Sequence, residues 1–512
     1  MQRQLSKPTG ERWKPAAFQM AMVRWLVKHP AGALFADPGL RKTSSTLAAY
    51  LAMHKARGCN KALIIAPLRV GEMVWSHDGE IGKWSDFSHL RVSFVHGDHK
   101  EAQLKQDADL YVMNPEGLDW LCRCPGCEHP PHSAGKCDTP KCECVEKHAT
   151  RIKPLLQRGV DTLVIDELSA FKHPDTKRFK LLRPWLGWFR RRWGLTGSPA
   201  SNGLIDLFGQ VYILDLGRAL GPFITHYRHQ YFLPTGFGGF DWKLQEGAEK
   251  KIYAKLKKLA ISLRAEDHLD LPALLEQDLF ITLPAKARST YDELERELVV
   301  YLEQGRITAA NAAVVSGKLR QLVGGAIYDE RRKVHHIHDL KVDALVELVN
   351  EMNGAPLLVA YEFQHELDRI RKALGDVPAI NGQTSSKAAI AAIKAWNAGQ
   401  LPVLLGQPQA MGHGLNLQAC GHHVCWFTLP WNLEIYTQLN ARLHRSGQKN
   451  RVIVHRLITR KTVDEIVAKA LTSKKRVQDC LLDALSALPR GSTRGTLLNN
   501  PSRLRSTTCR KR

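Results

Sequence analysis

A loop with phosphate-binding chemistry lies near the start of the chain. Gly39, Lys42 and Thr43 follow a short apolar run, 33–36, and begin a stretch in which apolar residues recur at helical spacing. Backbone N–H groups at the start of a helix attract phosphate. The Lys42 ammonium would reach the terminal phosphates of a nucleotide, and the Thr43 hydroxyl would bind Mg²⁺. The motif is imperfect because Arg41 replaces the usual glycine before the lysine, and the same pattern also fits an α/β sheet without a ligand.

Two adjacent carboxylates complement this loop. Asp166 and Glu167 end the apolar run 162–165, much farther along the chain. Burying two acids at the end of a strand costs free energy unless a cation compensates them. Asp166 suits Mg²⁺ coordination through water, and Glu167 suits polarising the water molecule that attacks a phosphate. Such a pair is common by chance, but together with the loop around Lys42 it indicates phosphate chemistry at the edge of one sheet.

Six of the eleven cysteines fall within one short segment, and they are Cys122, Cys124, Cys127, Cys137, Cys142 and Cys144. Without a secretion signal, such clustering favours metal ligands over disulfides. A Cys-x₂-Cys pair followed by further thiol and imidazole donors is typical of a structural zinc site. One Zn²⁺ bound by the second, third, fifth and sixth cysteines and two Zn²⁺ bound by all six are both compatible with the spacing. Free thiols in an irregular loop are the alternative.

The composition is that of an ordinary globular protein, with 44% hydrophobic and 24% charged residues among 512. No apolar run approaches the roughly 20 residues that a membrane-spanning helix needs. The first fifteen residues lack the apolar core of a signal peptide. We therefore expect a cytoplasmic protein that does not bind membranes.

The charge of the chain is strongly basic, at +23, with a pI near 9.6. A polyanionic partner such as nucleic acid would explain this excess, because each neutralised phosphate releases counterions. A basic protein without such a partner is the alternative. The tail 486–512 holds seven of the basic residues and no acid, and its composition predicts disorder; they are Arg490, Arg494, Arg503, Arg505, Arg510, Lys511 and Arg512.

The order of apolar runs predicts an α/β fold. In the first part the runs 33–36, 62–66, 92–95, 109–113, 162–165 and 192–195 alternate with helical stretches, as in a doubly wound parallel sheet. The runs 356–360, 403–406, 423–428 and 452–457 repeat the pattern later. We predict two parallel-sheet domains in tandem, residues 1–214 and 340–485. A helical insertion, 215–339, joins them, and a Cys-rich insert, 121–148, interrupts the first.

With these motifs in hand, the chain resembles the superfamily 2 helicase-type ATPases of the Swi/Snf-like branch, over roughly residues 12–475. The compact core also resembles phage-encoded members. In the first half Gln19 matches the Q motif that reads adenine, and Asp166-Glu167 matches motif II. The remaining matches are Pro67 and Arg69 (motif Ia), Asn114 (motif Ib), and Thr196 and Ser198 (motif III, which links hydrolysis to movement).

The second half carries the most specific match. Gln438, Arg442 and Arg445 copy motif VI, and the family uses such arginines as fingers toward the γ-phosphate. The two arginines lie three residues apart, hence on one face of a helix. A guanidinium supplied in this way stabilises charge in phosphoryl transfer. Gly414 and Asn416 fall in a segment that resembles motif V.

The resemblance implies two RecA-like domains that bind ATP and Mg²⁺ between them. It also implies contacts to a nucleic-acid backbone by motifs Ia, Ib and V and by the segment 357–361, which resembles motif IV. Duplex DNA is the expected track, with little sequence specificity. Two alternatives stay open. One is a strand-separating DNA or RNA helicase. The other is a zinc-bearing DNA-binding scaffold that hydrolyses ATP poorly, which Arg41 favours because it replaces the usual glycine of the phosphate loop. A protein partner for the Cys-rich insert or the tail is not identified.

Overall fold

The chain forms two parallel β-sheets, each covered by helices on both faces. The computed structural model describes residues 11–123, 150–235, 241–303, 309–411 and 415–485. The predicted tandem of two α/β parallel-sheet domains is confirmed. The Cys-rich insert beyond residue 123 lies outside the described residues.

The first sheet has the strand order β3-β4-β2-β5-β6-β1-β9, and the described pairs within it are all parallel. A separate antiparallel hairpin, β7-β8, lies between β6 and β9 in the chain. The strands are β1 (Ala31–Ala36), β2 (Lys61–Ile65), β3 (Val92–Phe94), β4 (Leu110–Met113), β5 (Val160–Asp166), β6 (Arg191–Thr196), β7 (Phe232–Thr235), β8 (Asp241–Leu244) and β9 (Ala260–Leu263).

Helices cover both faces of this sheet, so its strands are apolar nearly throughout. Successive residues of β2 point to opposite faces: Leu63 and Ile65 join one core cluster, whereas Ala62 and Ile64 join the other. The helices are α1 (Ala17–Lys28), α2 (Lys42–Lys55), α3 (Leu68–Met73), α4 (Glu80–Lys83), α5 (Lys100–Lys105), α6 (Gly117–Cys122), α7 (Ile152–Gln157), α8 (Lys177–Leu182), α9 (Leu207–Asp215), α10 (Ile224–Tyr231), α11 (Ala248–Leu256) and α12 (Ala265–His268).

The second sheet has the order β10-β17-β16-β13-β15-β14 and is also parallel, and a small antiparallel hairpin, β11-β12, accompanies it. The strands are β10 (Leu274–Ile281), β11 (Ala326–Tyr328), β12 (Val334–His336), β13 (Leu357–Ala360), β14 (Ala379–Ile380), β15 (Val403–Gly406), β16 (His423–Trp426) and β17 (Val452–Thr459). The helices are α13 (Ala285–Glu303), α14 (Ala309–Val323), α15 (Leu340–Glu351), α16 (Gln364–Leu374), α17 (Ser386–Asn397), α18 (Pro408–Met411), α19 (Leu433–Asn440) and α20 (Val463–Leu485).

The predicted helical insertion, 215–339, contains helices α10 to α14 and also supplies an edge strand to each sheet. The stretch 246–263 has helical apolar spacing, but its last part is β9, which pairs with β1 and is buried throughout. A four-residue apolar run does not distinguish a helix from a strand. The other edge strand, β10, escaped the sequence analysis because its apolar residues do not form a buried face: Leu275 is 44% exposed and Phe280 is 50% exposed.

None of the described helices is long and apolar enough to cross a membrane.

The register of the first sheet brings three functional strand ends to one edge. Phe35 of β1 pairs with Thr196 of β6, and Asp166 of β5 pairs with Leu195. The loop after β1, the two acids after β5 and the end of β6 therefore lie side by side. Ligands of open α/β sheets bind at this carboxyl edge.

A buried ion pair ties the second domain together. Lys341 of α15 and Asp464 of α20 are 0% and 2% exposed, and Lys341 Nζ lies 2.8 Å from Asp464 Oδ2. The same ammonium donates to the Phe427 carbonyl at 2.9 Å, and the carboxylate accepts from the Thr459 N–H at 3.0 Å. Because the pair is isolated from water, each member depends on the other.

Lys341→Ala is expected to lower the free energy of unfolding of the second domain by about 3–5 kcal/mol, because Asp464 would stay buried without its cation. Denaturant titration monitored by circular dichroism measures the loss. Asp376→Ala is the control, since the Asp376 side chain is 95% exposed in its ion pair and its removal should leave the midpoint unchanged. A Lys341→Ala midpoint equal to that of the natural protein would contradict the assigned role of the pair.

Candidate nucleotide-binding and catalytic site

A cavity of about 760 Å³ lies where the two domains meet. Its walls combine the loop after β1, the acids after β5 and the residues that resemble motif VI. The predicted site residues on these walls are Gly39, Lys42, Thr43, Asp166, Glu167, Asn416, Gln438, Arg442 and Arg445. The structure thus brings together residues that are far apart in the chain.

The loop before α2 forms the floor of this cavity. Gly39 has a φ of 90°, and a Cβ there would lie 3.4 Å from the Cβ of Arg445 in the other domain. Glycine at this position therefore permits both the left-handed backbone and the close approach of the second domain. Lys42 Nζ donates to the carbonyls of Ala36 at 2.6 Å and Asp37 at 3.2 Å. Burial lowers the pKa of Lys42, while Glu167 and Asp166 act in the opposite direction.

Asp166 is held at the edge of the sheet by a tryptophan. Trp75 Nε1 donates to Asp166 Oδ2 at 2.8 Å, and the Trp75 side chain is itself buried. Burial raises the pKa of Asp166 to about 6, partly offset by Trp75 and by Lys42. Trp75 belongs to a tryptophan-bearing stretch after motif Ia, but sequence reasoning did not assign it to the site.

Glu167 has a strained backbone and a well-supported side chain. Its φ of 77° lies in the left-handed region, which costs a residue with a Cβ about 1–2 kcal/mol. Its Oε1 accepts from Thr196 Oγ1 at 2.6 Å and lies 2.7 Å from Ser169 Oγ. The Ser198 N–H donates to Thr196 Oγ1 at 3.1 Å. The two motif III residues are thus connected to the carboxylate in one chain of hydrogen bonds.

The second domain supplies an amide and two guanidinium groups. Gln438 Nε2 donates to Glu167 Oε2 at 3.3 Å, which joins the two domains directly. Arg442 and Arg445 donate to the Leu415 carbonyl at 3.4 and 3.2 Å. Burial and the neighbouring Arg445 lower the pKa of Arg442 to about 9, and burial lowers the pKa of Arg445. Both side chains line the cavity beside the loop around Lys42.

Gln19 is not among the residues that line this cavity. Its Oε1 accepts from the Ala16 N–H at 3.1 Å, in a capping box at the start of α1, and its Nε2 donates to Ser44 Oγ at 3.2 Å. The side chain is buried between α1 and α2. Sequence reasoning did not foresee this packing role, and adenine reading by Gln19 stays a prediction.

The residues predicted to contact nucleic acid have varied surroundings. Arg69 donates to the Ala410 carbonyl of the other domain at 2.6 Å, and Pro67 is the N-cap of α3. Asn114 donates to Glu116 Oε2 at 2.9 Å. Asn416 is exposed and lies on the wall of the cavity. The fifth residue, Gly414, lies outside the described residues.

The cysteine cluster falls almost wholly outside the described part of the chain. Cys122 is described: its thiol is buried in the core of the first domain, and burial raises its pKa. Such surroundings suit a core side chain. Cys124, Cys127, Cys137, Cys142 and Cys144 are not described. Within the described ranges, no group of three or more His, Cys, Asp or Glu side chains is arranged to hold a metal ion, so the zinc prediction gains no support.

Comparisons with known proteins agree with this geometry. Residues 18–323 match the SNF2-related domain, and residues 340–447 match the helicase conserved C-terminal domain. The chain is 31% identical to "Putative protein p41" of Acyrthosiphon pisum secondary endosymbiont phage 1, covering 92% of this chain and 98% of that protein. It is 26% identical to "Putative ATP-dependent helicase/translocase YwqA" of Bacillus subtilis over 63% of this chain, but spans only 36% of that longer protein.

Among solved structures, the Sulfolobus solfataricus SWI2/SNF2 ATPase core in complex with dsDNA is similar. It is 21% identical, with a TM-score of 0.39, and the match covers 94% of this chain and 96% of that one.

The residue before Lys42 departs from the phosphate-loop pattern and has a strained backbone conformation. Arg41 has a φ of 53° and an exposed side chain. Replacing Arg41 with glycine removes the strain of the left-handed backbone, but it also raises the conformational entropy of the unfolded chain. Because the two effects oppose each other, Arg41→Gly should stabilise the protein by about 1 kcal/mol or less. We expect ATP turnover to stay unchanged or to rise, measured with a coupled phosphate-release assay.

Arg57→Gly is the matched control, because Arg57 has a φ of 56° and is exposed at the end of the same helix. It reports the backbone effect alone. A large drop in turnover for Arg41→Gly, with normal turnover for Arg57→Gly, would show that the Arg41 guanidinium takes part in catalysis.

Proposed function

We propose that this protein, which belongs to the SNF2-related family and is a nucleic-acid-dependent ATP hydrolase, uses ATP hydrolysis to move along duplex DNA. The observation that carries the proposal is the shared cavity. Lys42, Asp166 and Glu167 of the first domain face Arg442 and Arg445 of the second across one space. Hydrolysis at such a place changes the contact between the domains, which is what directed movement requires.

The side chains divide the chemistry among them. In our proposal Lys42 binds the terminal phosphates, and Glu167 accepts a proton from the attacking water as the γ-phosphorus–oxygen bond to ADP breaks. Glu167 Oε1 is engaged by short hydrogen bonds, whereas Oε2 has a longer one of 3.3 Å from Gln438. Oε2 is therefore the oxygen that we assign to the water. Arg442 and Arg445 stabilise the charge that develops on the transferred phosphoryl group.

Mg²⁺ fits the same cavity. The Thr43 hydroxyl and the Asp166 carboxylate are oxygen donors of the kind this ion prefers, and both line the cavity. Burial raises the pKa of Asp166 to about 6, and a bound cation would favour its ionised form. When bound, Mg²⁺ neutralises charge on the phosphates. Structural zinc stays a prediction, either as one Zn²⁺ held by Cys124, Cys127, Cys142 and Cys144 or as two Zn²⁺ held by all six cysteines of the cluster.

Duplex DNA as the track rests on charge and on family resemblance. The net charge of +23 favours a polyanion, and movement along a backbone needs phosphate contacts and not base readout. YwqA, the relative in Bacillus subtilis, has a name that covers both helicase and translocase activity. We prefer translocation without strand separation because the Swi/Snf-like branch that the motifs resemble typically acts in that way.

Two other functions make different predictions for solution assays. A strand-separating DNA or RNA helicase would displace a strand from a forked duplex. A scaffold that hydrolyses ATP poorly would bind DNA but show no nucleic-acid-stimulated turnover. The shared cavity, with its two acids and two arginines, supports hydrolysis over the scaffold.

Variants of the cavity test the assigned chemistry. Lys42→Ala should abolish ATP binding, whereas Glu167→Gln should bind ATP and lose turnover, because its amide cannot accept the proton. Arg445→Ala should lower kcat by about 10³-fold, as expected for an arginine finger. Binding of a fluorescent ATP analogue and steady-state hydrolysis with duplex DNA separate these effects. Lys55→Ala, at the exposed end of α2, is the control and should behave like the natural protein. Full turnover by Arg445→Ala would refute its role.

Comparison of nucleic acids tests the track. ATP turnover should rise most with duplex DNA and less with single-stranded DNA or RNA. Affinity for the duplex should fall steeply with salt, since several phosphates are contacted at once. Removing residues 487–512, which hold the seven basic residues of the tail, should weaken DNA binding equally on all sequences and preserve unstimulated turnover. Equal stimulation by RNA and duplex DNA, or strand displacement on a fork, would contradict the proposal.

A further inference from the structure

A third carboxylate, that of Glu434, lies close to Glu167 but belongs to the other domain. Glu434 is in the first turn of α19, and Glu167 follows β5. Asn432 caps α19 by accepting from the Glu434 N–H at 2.9 Å. Because Asn432 already caps the helix, capping does not explain why the Glu434 carboxyl lies beside Ser169 and Glu167.

Two side chains bridge these carboxyl groups across the domain boundary. Ser169 Oγ lies 2.7 Å from Glu167 Oε1 and 2.5 Å from Glu434 Oε1. Gln438 Nε2 lies 3.3 Å from Glu167 Oε2 and 3.3 Å from Glu434 Oε1. The amide has two protons and can donate to both groups. The serine hydroxyl has one proton, so it can hydrogen bond to both carboxyls only if one of them is protonated.

The surroundings favour a proton on Glu434. Its side chain is only 13% exposed. Burial, followed by the nearby negative charge of Glu167, raises the pKa of Glu434 to about 7, while Ser169 and Lys172 act against the rise. A protonated Glu434 would donate to Ser169 Oγ, and the serine hydroxyl would then donate to Glu167 Oε1.

Other charged groups face Glu434 from each neighbouring element. Lys172 Nζ, from the segment after β5, lies 3.8 Å from Glu434 Oε2 and 3.5 Å from Asp206 Oδ2. Asp206 precedes α9 and adds negative charge. On α20, Lys474 donates to Asn202 Oδ1 at 3.1 Å and lies near Asp206 and Lys172. Lys172 is therefore shared between two acids, Glu434 and Asp206.

We propose that Glu434 is a positioning residue for ATP hydrolysis: through Ser169 and Gln438 it fixes the Glu167 carboxylate when the two domains close. The inference rests on the proposed role of Glu167 as the group that accepts a proton from water. Glu434 does not touch the reacting atoms in this scheme. It sets the orientation of Ser169 and Gln438, two of the side chains that hydrogen bond to Glu167.

The proposal has a defined pH dependence. The bridge through Ser169 needs the protonated form, which is present below the raised pKa and lost as pH rises through about 7. Above that pH, a second negative charge beside Glu167 opposes closure of the domains. Glu434→Gln keeps a donor at the same place but cannot ionise. The kcat of the natural protein, divided by that of Glu434→Gln, should therefore fall as pH rises through about 7.

The experiment measures kcat and KM for ATP from pH 6 to pH 9 at saturating duplex DNA. Glu434→Ala should lower kcat by about 10-fold near neutral pH, since it removes hydrogen bonds that position a charged group, and leave KM nearly unchanged. Glu434→Gln should restore kcat and flatten the alkaline decline. Glu347→Ala, an exposed acid of α15, is the matched control. Denaturation midpoints confirm that each variant is folded.

Specific results would overturn the proposal. If Glu434→Ala keeps the natural kcat and pH profile, Glu434 positions nothing. If kcat falls by the same factor in Glu434→Gln and Glu434→Ala at every pH, a neutral donor does not replace the carboxyl. That result would refute the hydrogen-bonded bridge through Ser169. Glu167→Gln, measured alongside, separates the two proposals. Normal turnover in Glu167→Gln would refute the role of Glu167 itself. Lost turnover in Glu167→Gln, together with unchanged turnover in Glu434→Ala, would refute only the role of Glu434.

Discussion

Hydrogen bonds from both halves of the chain converge on the carboxylate of Glu167. Thr196 and Ser169 reach it from the first domain, and Gln438 reaches it from the second. The carboxylate is partly buried, and the left-handed backbone of Glu167 adds strain that its surroundings must hold. The catalytic geometry that we propose therefore needs side chains from both domains.

The parallel sheets explain why these groups meet at all. In a parallel sheet every strand delivers its carboxyl end to the same edge, and the register here aligns β1, β5 and β6 within one residue of each other. The phosphate loop, the two acids and Thr196 follow directly from those ends. The second sheet places its own loops opposite, so that Arg445 comes within van der Waals contact of where a side chain at Gly39 would lie.

The electrostatics of the cavity suit a highly charged ligand. Burial lowers the pKa values of Lys42, Arg442 and Arg445 and raises that of Asp166, so each group carries its charge at a cost. Perturbed groups of both signs gathered in one cleft are characteristic of functional sites. A nucleotide phosphate chain with its metal ion offers matching charges to both sets. Beside the cavity, Lys172 lies near both Glu434 and Asp206, so that one cation serves two acids.

The sequence alone determined the α/β fold and identified the residues proposed to be catalytic, because apolar runs that end in special residues have a local signature. Lys42, Asp166, Glu167, Arg442 and Arg445 were assigned from motifs and all line the cavity. It did not reveal β9 and β10, since short or half-exposed edge strands have no distinct period.

Only the tertiary structure decided which side chains support those groups. Trp75 on Asp166, and Ser169 and Glu434 beside Glu167, have no spacing that sequence reasoning could use, because their meeting depends on long-range packing between elements and domains. The same holds for the packing of two residues predicted from motifs: Gln19 caps a helix and Cys122 lies in the core. A motif fixes the type of a residue and its neighbours in the chain, whereas its partners in space are set by the closure of the fold around it.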